Sequence, residues 1–174
     1  MFLDRDGAIA EEVGHLNHLD RFRMFRFAPE AIRGLNEAGV TNQSGVARGY
    51  LRNRWCMRFM NGRKGNSRRP ERAWMHCTAA PRGSAVRCVC RKPRPGMLQR
   101  AGEELNLDLQ SSSLVGDRYT DMEPPFNGGA RAVTVRTGYG LGELAWRAQK
   151  WQRQPDCGTE NLQTTVDWIL RENR

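Results

Sequence analysis

A chain of 174 residues, 39% of them hydrophobic, is long enough to bury the core of one domain. A net charge of +9 is typical of nucleic-acid-binding proteins, but residues 51–100 alone hold fourteen Lys and Arg residues and one acid, and the remainder carries −4. No apolar run is as long as a membrane span and no signal-peptide pattern is present, so we expect a cytoplasmic protein and exclude an integral membrane protein.

Strands and amphipathic helices alternate along the chain outside this basic block. In chain order, the patterns predict a strand stub at 2–3, helices at 30–38 and 95–106, strands at 113–117 and 130–137, and a helix at 162–170. Such alternation is typical of a parallel α/β sheet with flanking helices, and in these sheets the site lies outside the carboxyl ends of the strands. We therefore predict a single α/β domain over 1–174.

Polar residues at predicted strand ends and loops form a set suited to phosphoryl transfer. Asp4 and Asp117, with a backbone carbonyl near Asp6, would supply three oxygens to Mg²⁺. Asp4 would attack phosphorus to form an aspartyl-phosphate, and Asp6 would protonate the leaving alkoxide and later activate water. Lys92 would neutralise the phosphoryl charge, and Thr41 would hold the phosphoryl oxygens. Each residue taken alone also has an ordinary structural explanation. Lys92 could be a solvated lysine, and Thr41 and Asp117 could each cap a helix.

The set resembles the four motifs of the haloacid-dehalogenase-like phosphatase superfamily. The resembling positions are 4–7, Thr41, Lys92 and 116–121. Longer strings at 2–7, 41–50, 88–97 and 136–140 resemble the D-glycero-D-manno-heptose 1,7-bisphosphate phosphatases. Histidinol-phosphate phosphatases share this layout but usually differ after Thr-Asn-Gln, so the string at 44–49 favours the heptose branch.

The resemblance implies a Rossmann-like sheet without a large cap and Mg²⁺-dependent removal of the 7-phosphate of a heptose bisphosphate. It also implies a sugar-phosphate substrate contacted by Asn42, Ser44, Arg48 and Arg91. We expect a monomer that needs neither a membrane nor nucleic acid. The alternatives that stay open are a phosphatase for histidinol phosphate or another small phosphomonoester, an inactive degenerate relative, and a basic nucleic-acid-binding protein. The confinement of the positive charge to one block with few aromatic residues weighs against the last.

Three cysteines resemble the small zinc loop of this branch, which is predicted here in a degenerate form. They are Cys77, Cys88 and Cys90, but Ala79 stands where the family has a histidine. Three thiols would hold structural Zn²⁺ if His76 or water completed the tetrahedron. The alternative is a loop with unliganded cysteines, since the sequence argues for thiols or metal ligands and against a disulfide framework.

Two further features depart from the family pattern. Only Val40 separates Gly39 from Thr41, whereas a strand needs about five residues, so the strand that should position Thr41 is predicted to be nearly absent. The Arg-rich segment 51–87 has too few large aliphatic residues to pack and is predicted to be loop or disorder. A shifted reading frame of 52–61 permits a helical apolar pattern, so we hypothesise a frame error that ends before Cys88, which sequencing the coding DNA would test.

Overall fold

The computed structural model describes residues 1–14, 18–38, 42–46, 75–79 and 90–172, and for 42–46 and 75–79 it describes the backbone only. Six parallel strands form one sheet in the order β3-β2-β1-β4-β5-β6. The strands are β1 Phe2–Asp4, β2 Asn42–Val46, β3 Met75–Ala79, β4 Ser113–Gly116, β5 Arg131–Val135 and β6 Cys157–Thr159. The helices are α1 Ala28–Glu37, α2 Gly96–Leu105, α3 Tyr119–Gly128, α4 Gly140–Trp146 and α5 Leu162–Glu172, with 3₁₀ turns at Leu19–Arg21 and Ala148–Lys150. The predicted α/β class is confirmed.

The strand order puts a topological switch point between β1 and β4. The chain leaves β1 toward β2 and β3 on one side, then returns to β4 and continues outward to β5 and β6. Phe2 pairs with Leu114 and Leu3 with Val115, so the two strands end at the same edge of the sheet. Because neighbouring connections depart in opposite directions here, a crevice forms at the carboxyl ends of β1 and β4.

Both faces of the sheet are covered, which holds the strand ends in place. Leu3 and Val115 face α1 and α5, while Phe2 and Leu114 face α2, as the alternation of side chains along a strand requires. The larger cluster adds buried aliphatic side chains from α1 and α5, among them Ile32, Leu35, Leu162, Val166 and Ile169. Residues such as Leu3 and Val115 have almost no exposed surface, so the backbone that carries the polar strand ends is tightly packed.

Two predicted helices form close to their expected bounds. The helix predicted at 30–38 is α1, with Pro29 in its first turn, where proline removes no helical hydrogen bond. The helix predicted at 95–106 is α2, which ends at Leu105 and is capped by Asn106 in the left-handed conformation, with φ 51°. No helix in the described part of the chain is long and apolar enough to cross a membrane.

The predicted near-absence of a second strand is wrong. The structure forms β2 from Asn42 to Val46 and pairs it with β1, Phe2 opposite Gln43 and Asp4 opposite Gly45. The motif residues therefore build the strand themselves, because the apolar run that would normally precede them is missing. The strand β3 lies inside the segment predicted to be loop or disorder, so that prediction is wrong for Met75–Ala79.

Three other elements were not predicted, and each has a local reason. The helix α3 contains Pro124 and Pro125, whose rings discourage a helix in an isolated sequence. The strand β6 has only three residues, and α4 has seven with a glycine inside. Helix α3 forms because Asp121 and Met122 are buried against the sheet and the Asp121 carboxylate accepts a hydrogen bond from the Arg118 amide, 2.9 Å.

Candidate active site

Three carboxylates meet at the carboxyl edge of β1 and β4. Asp4 ends β1, Asp117 directly follows β4, and Asp121 lies in the first turn of α3. Each offers an oxygen within 4.8 Å of the other two. Asp117 and Asp121 are buried, at 1% and 3% exposure. The predicted convergence of Asp4 and Asp117 is what the structure shows.

Asp121 was given no individual role by the sequence analysis. Its one signal in the sequence was its place four residues after Asp117, within the motif string 116–121. That spacing needs a helix to bring the two carboxylates together, and the prolines in α3 hid the helix. One Asp121 oxygen accepts the backbone amides of Asp117 and Arg118, at 3.2 and 2.9 Å.

Lys92 supplies a positive charge in direct contact with this cluster. Its Nζ donates to Asp4 Oδ1 at 2.5 Å and to Asp121 Oδ1 at 2.7 Å. The Lys92 side chain is 16% exposed and that of Asp4 is 12% exposed, so the ion pair is largely shielded from water. The structure therefore places the predicted cation against the predicted nucleophile, although 87 residues separate them in the chain.

The electrostatics of the cluster favour an added cation. Burial raises the pKa of Asp4 to about 6, with Lys92 opposing the shift and Asp121 adding to it. Burial also raises the pKa of Asp117 to about 7. Burial disfavours the Lys92 ammonium, but the carboxylates of Asp121 and Asp4 outweigh that effect and raise its pKa. The Lys92 ammonium contacts two of the three carboxylates, Asp4 and Asp121, and a cluster of three carboxylates with one ammonium fits Mg²⁺.

The backbone carbonyls of the loop after β1 differ in the hydrogen bonds that they accept. In the loop after β1, the Arg5 carbonyl accepts the amides of Ile9 and Ala10, both at 2.9 Å. The Gly7 carbonyl accepts the Thr137 hydroxyl at 2.5 Å. Between them, the Asp6 carbonyl receives no hydrogen bond from any residue that the structure describes. The predicted carbonyl near Asp6 is thus free for a cation.

The Asp6 carboxylate is not one of the three carboxylates of this cluster. Its carboxylate pairs with the neighbouring Arg5 guanidinium, 2.7 Å from Nε to Oδ1 and 2.5 Å from Nη2 to Oδ2. The two contacts make a fork-like, two-point pair between neighbouring residues. The Asp6 side chain is thus paired with Arg5, while the Asp6 carbonyl accepts no hydrogen bond in the described part of the chain.

Two glycines let the loops close around Asp117. A Cβ built on Gly7 would lie 2.0 Å from Asp117 Oδ2, and one built on Gly138 would lie 2.1 Å from the same atom. Both have positive φ, 78° and 60°, which favours glycine. The same Asp117 oxygen accepts the Tyr139 amide at 2.8 Å. Asp117 is therefore held in place by backbone from both sides.

The predicted substrate-binding residues are only partly described. Asn42 begins β2, and because Gly45 pairs with Asp4, Asn42 lies three residues, about 10 Å along the strand, from the level of Asp4. Ser44 lies level with Leu3. Thr41 and Arg48 fall outside the described residues. Arg91 is exposed beside Lys92.

The predicted zinc ligands are not brought together in the described residues. The Cys77 backbone lies in β3, and Cys88 is outside the described part of the chain. Cys90 is disulfide-bonded, which differs from the free thiol expected from the sequence. Zinc binds the thiolate, so this sulfur would need to be reduced first. The zinc loop stays a prediction.

We expect the metal-free protein to lose stability as the pH rises from about 5 to about 7. The folded-state pKa values of Asp4 and Asp117 are about 6 and about 7, above the ordinary 3.8. In this window the folded state binds more protons than the unfolded state, so the free energy of unfolding falls with rising pH.

Melting curves at stepped pH, with a chelator or with excess Mg²⁺, will measure this effect. The rise in melting temperature caused by Mg²⁺ should grow toward pH 7, because the ion competes with protons for the same carboxylates. Asp117→Asn should weaken the dependence of the melting temperature on pH in the metal-free protein. A Mg²⁺ effect that is equal at pH 5 and pH 7 would contradict the assignment of these carboxylates.

The chain is similar in sequence to known phosphatases. The HAD-hydrolase-like family profile matches residues 89–164. The D-glycero-D-manno-heptose-1,7-bisphosphate 7-phosphatase of Thermosynechococcus vestitus is 33% identical over 185 residues, covering 97% of this chain and 94% of that protein. The D-glycero-beta-D-manno-heptose-1,7-bisphosphate 7-phosphatase of Yersinia pestis is 36% identical over 152 residues, covering 79% of this chain and 80% of that protein.

A solved structure shows the same fold. The D,D-heptose 1,7-bisphosphate phosphatase of B. bronchiseptica, complexed with magnesium and phosphate, superposes with a TM-score of 0.77 at 22% identity and covers 99% of this chain and 98% of its own. The motif resemblance is confirmed by these comparisons. With its carboxylates and lysine gathered at the sheet edge, the chain belongs to the haloacid-dehalogenase-like phosphatases, which are phosphoric monoester hydrolases, in the family of the heptose-1,7-bisphosphate 7-phosphatases.

Proposed function

We propose that this protein removes the 7-phosphate of D-glycero-D-manno-heptose 1,7-bisphosphate through an aspartyl-phosphate on Asp4, in nucleotide-heptose biosynthesis. The observation that carries the proposal is the contact of Lys92 with both Asp4 and Asp121 beside Asp117. The relatives named above support the substrate, since they bear that activity in their names. The proposal keeps the cytoplasmic location and monomeric state expected from the sequence.

Mg²⁺ would be held by Asp4, Asp117 and the Asp6 carbonyl, and would neutralise and orient the phosphoryl group. In the first half-reaction an Asp4 oxygen forms a bond to phosphorus as the bond from phosphorus to the sugar oxygen breaks. The leaving sugar alkoxide takes a proton from the Asp6 carboxyl. Lys92, which donates to Asp4 Oδ1, offsets the negative charge that gathers around the transferring group.

In the second half-reaction Asp6 acts as a base. Water attacks the aspartyl-phosphate, the Asp6 carboxylate accepts its proton, and the bond between phosphorus and Asp4 breaks to release inorganic phosphate. The Asp6 carboxyl thus gives up a proton in the first half-reaction and regains one from water in the second.

The test is phosphate release from the heptose bisphosphate and from histidinol phosphate, with ³¹P NMR to identify which phosphate leaves. We expect kcat/KM for the heptose bisphosphate to be at least about tenfold higher, a difference of about 1.4 kcal/mol in transition-state binding. The 1-phosphate should remain on the product. A chelator should stop the reaction and Mg²⁺ should restore it.

The alternatives give different results in the same assay. Preferential hydrolysis of histidinol phosphate would favour the related branch of the family. A chain that melts cooperatively but releases no phosphate from either substrate would be the inactive relative. Either result would overturn the proposed function.

A further inference from the structure

The turn between β5 and α4 contacts both loops that build the metal site. The Thr137 hydroxyl donates to the Gly7 carbonyl in the loop after Asp4. Two residues later, the Tyr139 amide donates to Asp117 Oδ2 at 2.8 Å. We propose that Thr137 is a positioning residue, whose hydroxyl holds the Gly7 carbonyl and thereby keeps the loop after Asp4 packed against Asp117, a proposed ligand of the cation; this inference rests on the proposed function.

The peptide planes on both sides of Gly7 show how this works. The Gly7 amide donates to the Ala10 carbonyl at 2.8 Å. That amide shares a planar trans peptide with the Asp6 carbonyl, so the Asp6 oxygen must point away from Ala10. On the other side of Gly7, the carbonyl is held by Thr137. Both planes are therefore set by hydrogen bonds.

Gly7 makes the Thr137 bond important. Glycine is the most flexible residue in the backbone, and Gly7 adopts φ 78° in contact with Asp117. In the described residues, Thr137 is the one side chain that binds the Gly7 carbonyl. Without the Thr137 bond, the Gly7 amide would still donate to the Ala10 carbonyl. The peptide plane that follows Gly7 would be free to rotate, and this rotation would disturb the packing of Gly7 against Asp117.

The same turn also restrains the second metal loop. A Cβ on Gly138 would come within 2.6 Å of the Gly7 Cα, so the turn and the loop are in backbone contact. The guanidinium of Arg118, the residue directly after Asp117, lies over the Tyr139 ring, with its central carbon 3.8 Å from the ring centroid. One turn thus sets the spacing between ligands that come from β1 and β4, two strands to which it does not belong.

Three variants test the proposal. Thr137→Val keeps the side-chain shape and removes the hydroxyl, while Thr137→Ser keeps the hydroxyl. Thr159→Val is the matched control, since it removes a short hydroxyl contact, 2.6 Å to Thr165, at β6 and outside the catalytic cluster. Calorimetric titration with Mg²⁺ alone measures the metal affinity without needing turnover, and melting curves measure stability.

We expect Thr137→Val to weaken Mg²⁺ binding about 10- to 100-fold and to lower kcat with little change in KM, as is usual when a residue that orients a metal ligand is lost. Thr137→Ser should restore Mg²⁺ affinity to within about threefold, and Thr159→Val should leave it unchanged. Unchanged Mg²⁺ affinity in Thr137→Val, with a loss of melting temperature like that of Thr159→Val, would overturn the inference. A wild-type protein that binds Mg²⁺ but does not hydrolyse the heptose bisphosphate would refute the proposed function alone.

Discussion

Asp4→Asn will abolish phosphate release, with kcat lowered by about 10⁴-fold or more while the protein stays folded. An amide cannot form the aspartyl-phosphate, and the variant also loses the charge that Lys92 contacts. We expect no loss of stability near pH 7, because burial already disfavours the Asp4 carboxylate and raises its pKa to about 6. Lys92 keeps its bond to Asp121, so it is not left as an unpaired buried charge.

Asp167→Asn is the control for this variant. It makes the same chemical change on an exposed position of α5. Initial rates and a melting curve should be compared for the two proteins, together with a search for a phosphorylated intermediate in rapidly quenched wild-type enzyme. Turnover of Asp4→Asn close to that of Asp167→Asn would remove Asp4 as the nucleophile.

Gly7→Ala will lower activity by at least about 100-fold and destabilise the fold, because the new methyl group would lie 2.0 Å from Asp117 Oδ2. A positive φ adds strain of about 1–2 kcal/mol for a residue with a side chain. Either Asp117 leaves its place or the loop after Asp4 moves away, and both displace a group that we propose holds Mg²⁺. Displacements of about 1 Å at a catalytic centre are enough to reduce rates about 100-fold.

Gly14→Ala separates the clash from the strain. Gly14 has nearly the same φ, 73°, but a Cβ there would meet nothing within 4 Å. The Gly14→Ala protein should be destabilised only by the strain of its positive φ and should keep its activity within about twofold of wild type. Melting temperature and kcat should be measured for both. Similar activities of the two variants would show that contact with Asp117 does not govern the site.

The parts of the fold and site that were predictable share a common basis. The apolar spacing of α1 and α2 identified both helices within two residues of their bounds. Asp4 and Asp117 were identified because acids that directly follow buried parallel strands must meet at one edge of the sheet. Lys92 was identified through its motif, since nothing local to residue 92 indicates an ionic contact with residue 4.

What was missed depends on interactions between distant parts of the chain. Asp121 reaches the cluster only because α3 forms, despite Pro124 and Pro125. The helix forms because its inner face packs on the sheet. The strand β2 formed from the motif itself, since pairing with β1 and β3 outweighed the shortage of apolar residues before Thr41. Neither outcome follows from local propensity.

The sequence by itself determined the α/β class, the paired acids of the first loop and the identity of the lysine, because periodicity and motif are properties of the linear chain. Only the tertiary structure decided which carbonyl of residues 5–7 is free for a cation and which backbone groups hold Asp117. Those features arise where the turn at 137–140 meets the loop after β1, more than 120 residues away in the chain. Close packing across that distance sets the geometry of the site, and no local pattern encodes it.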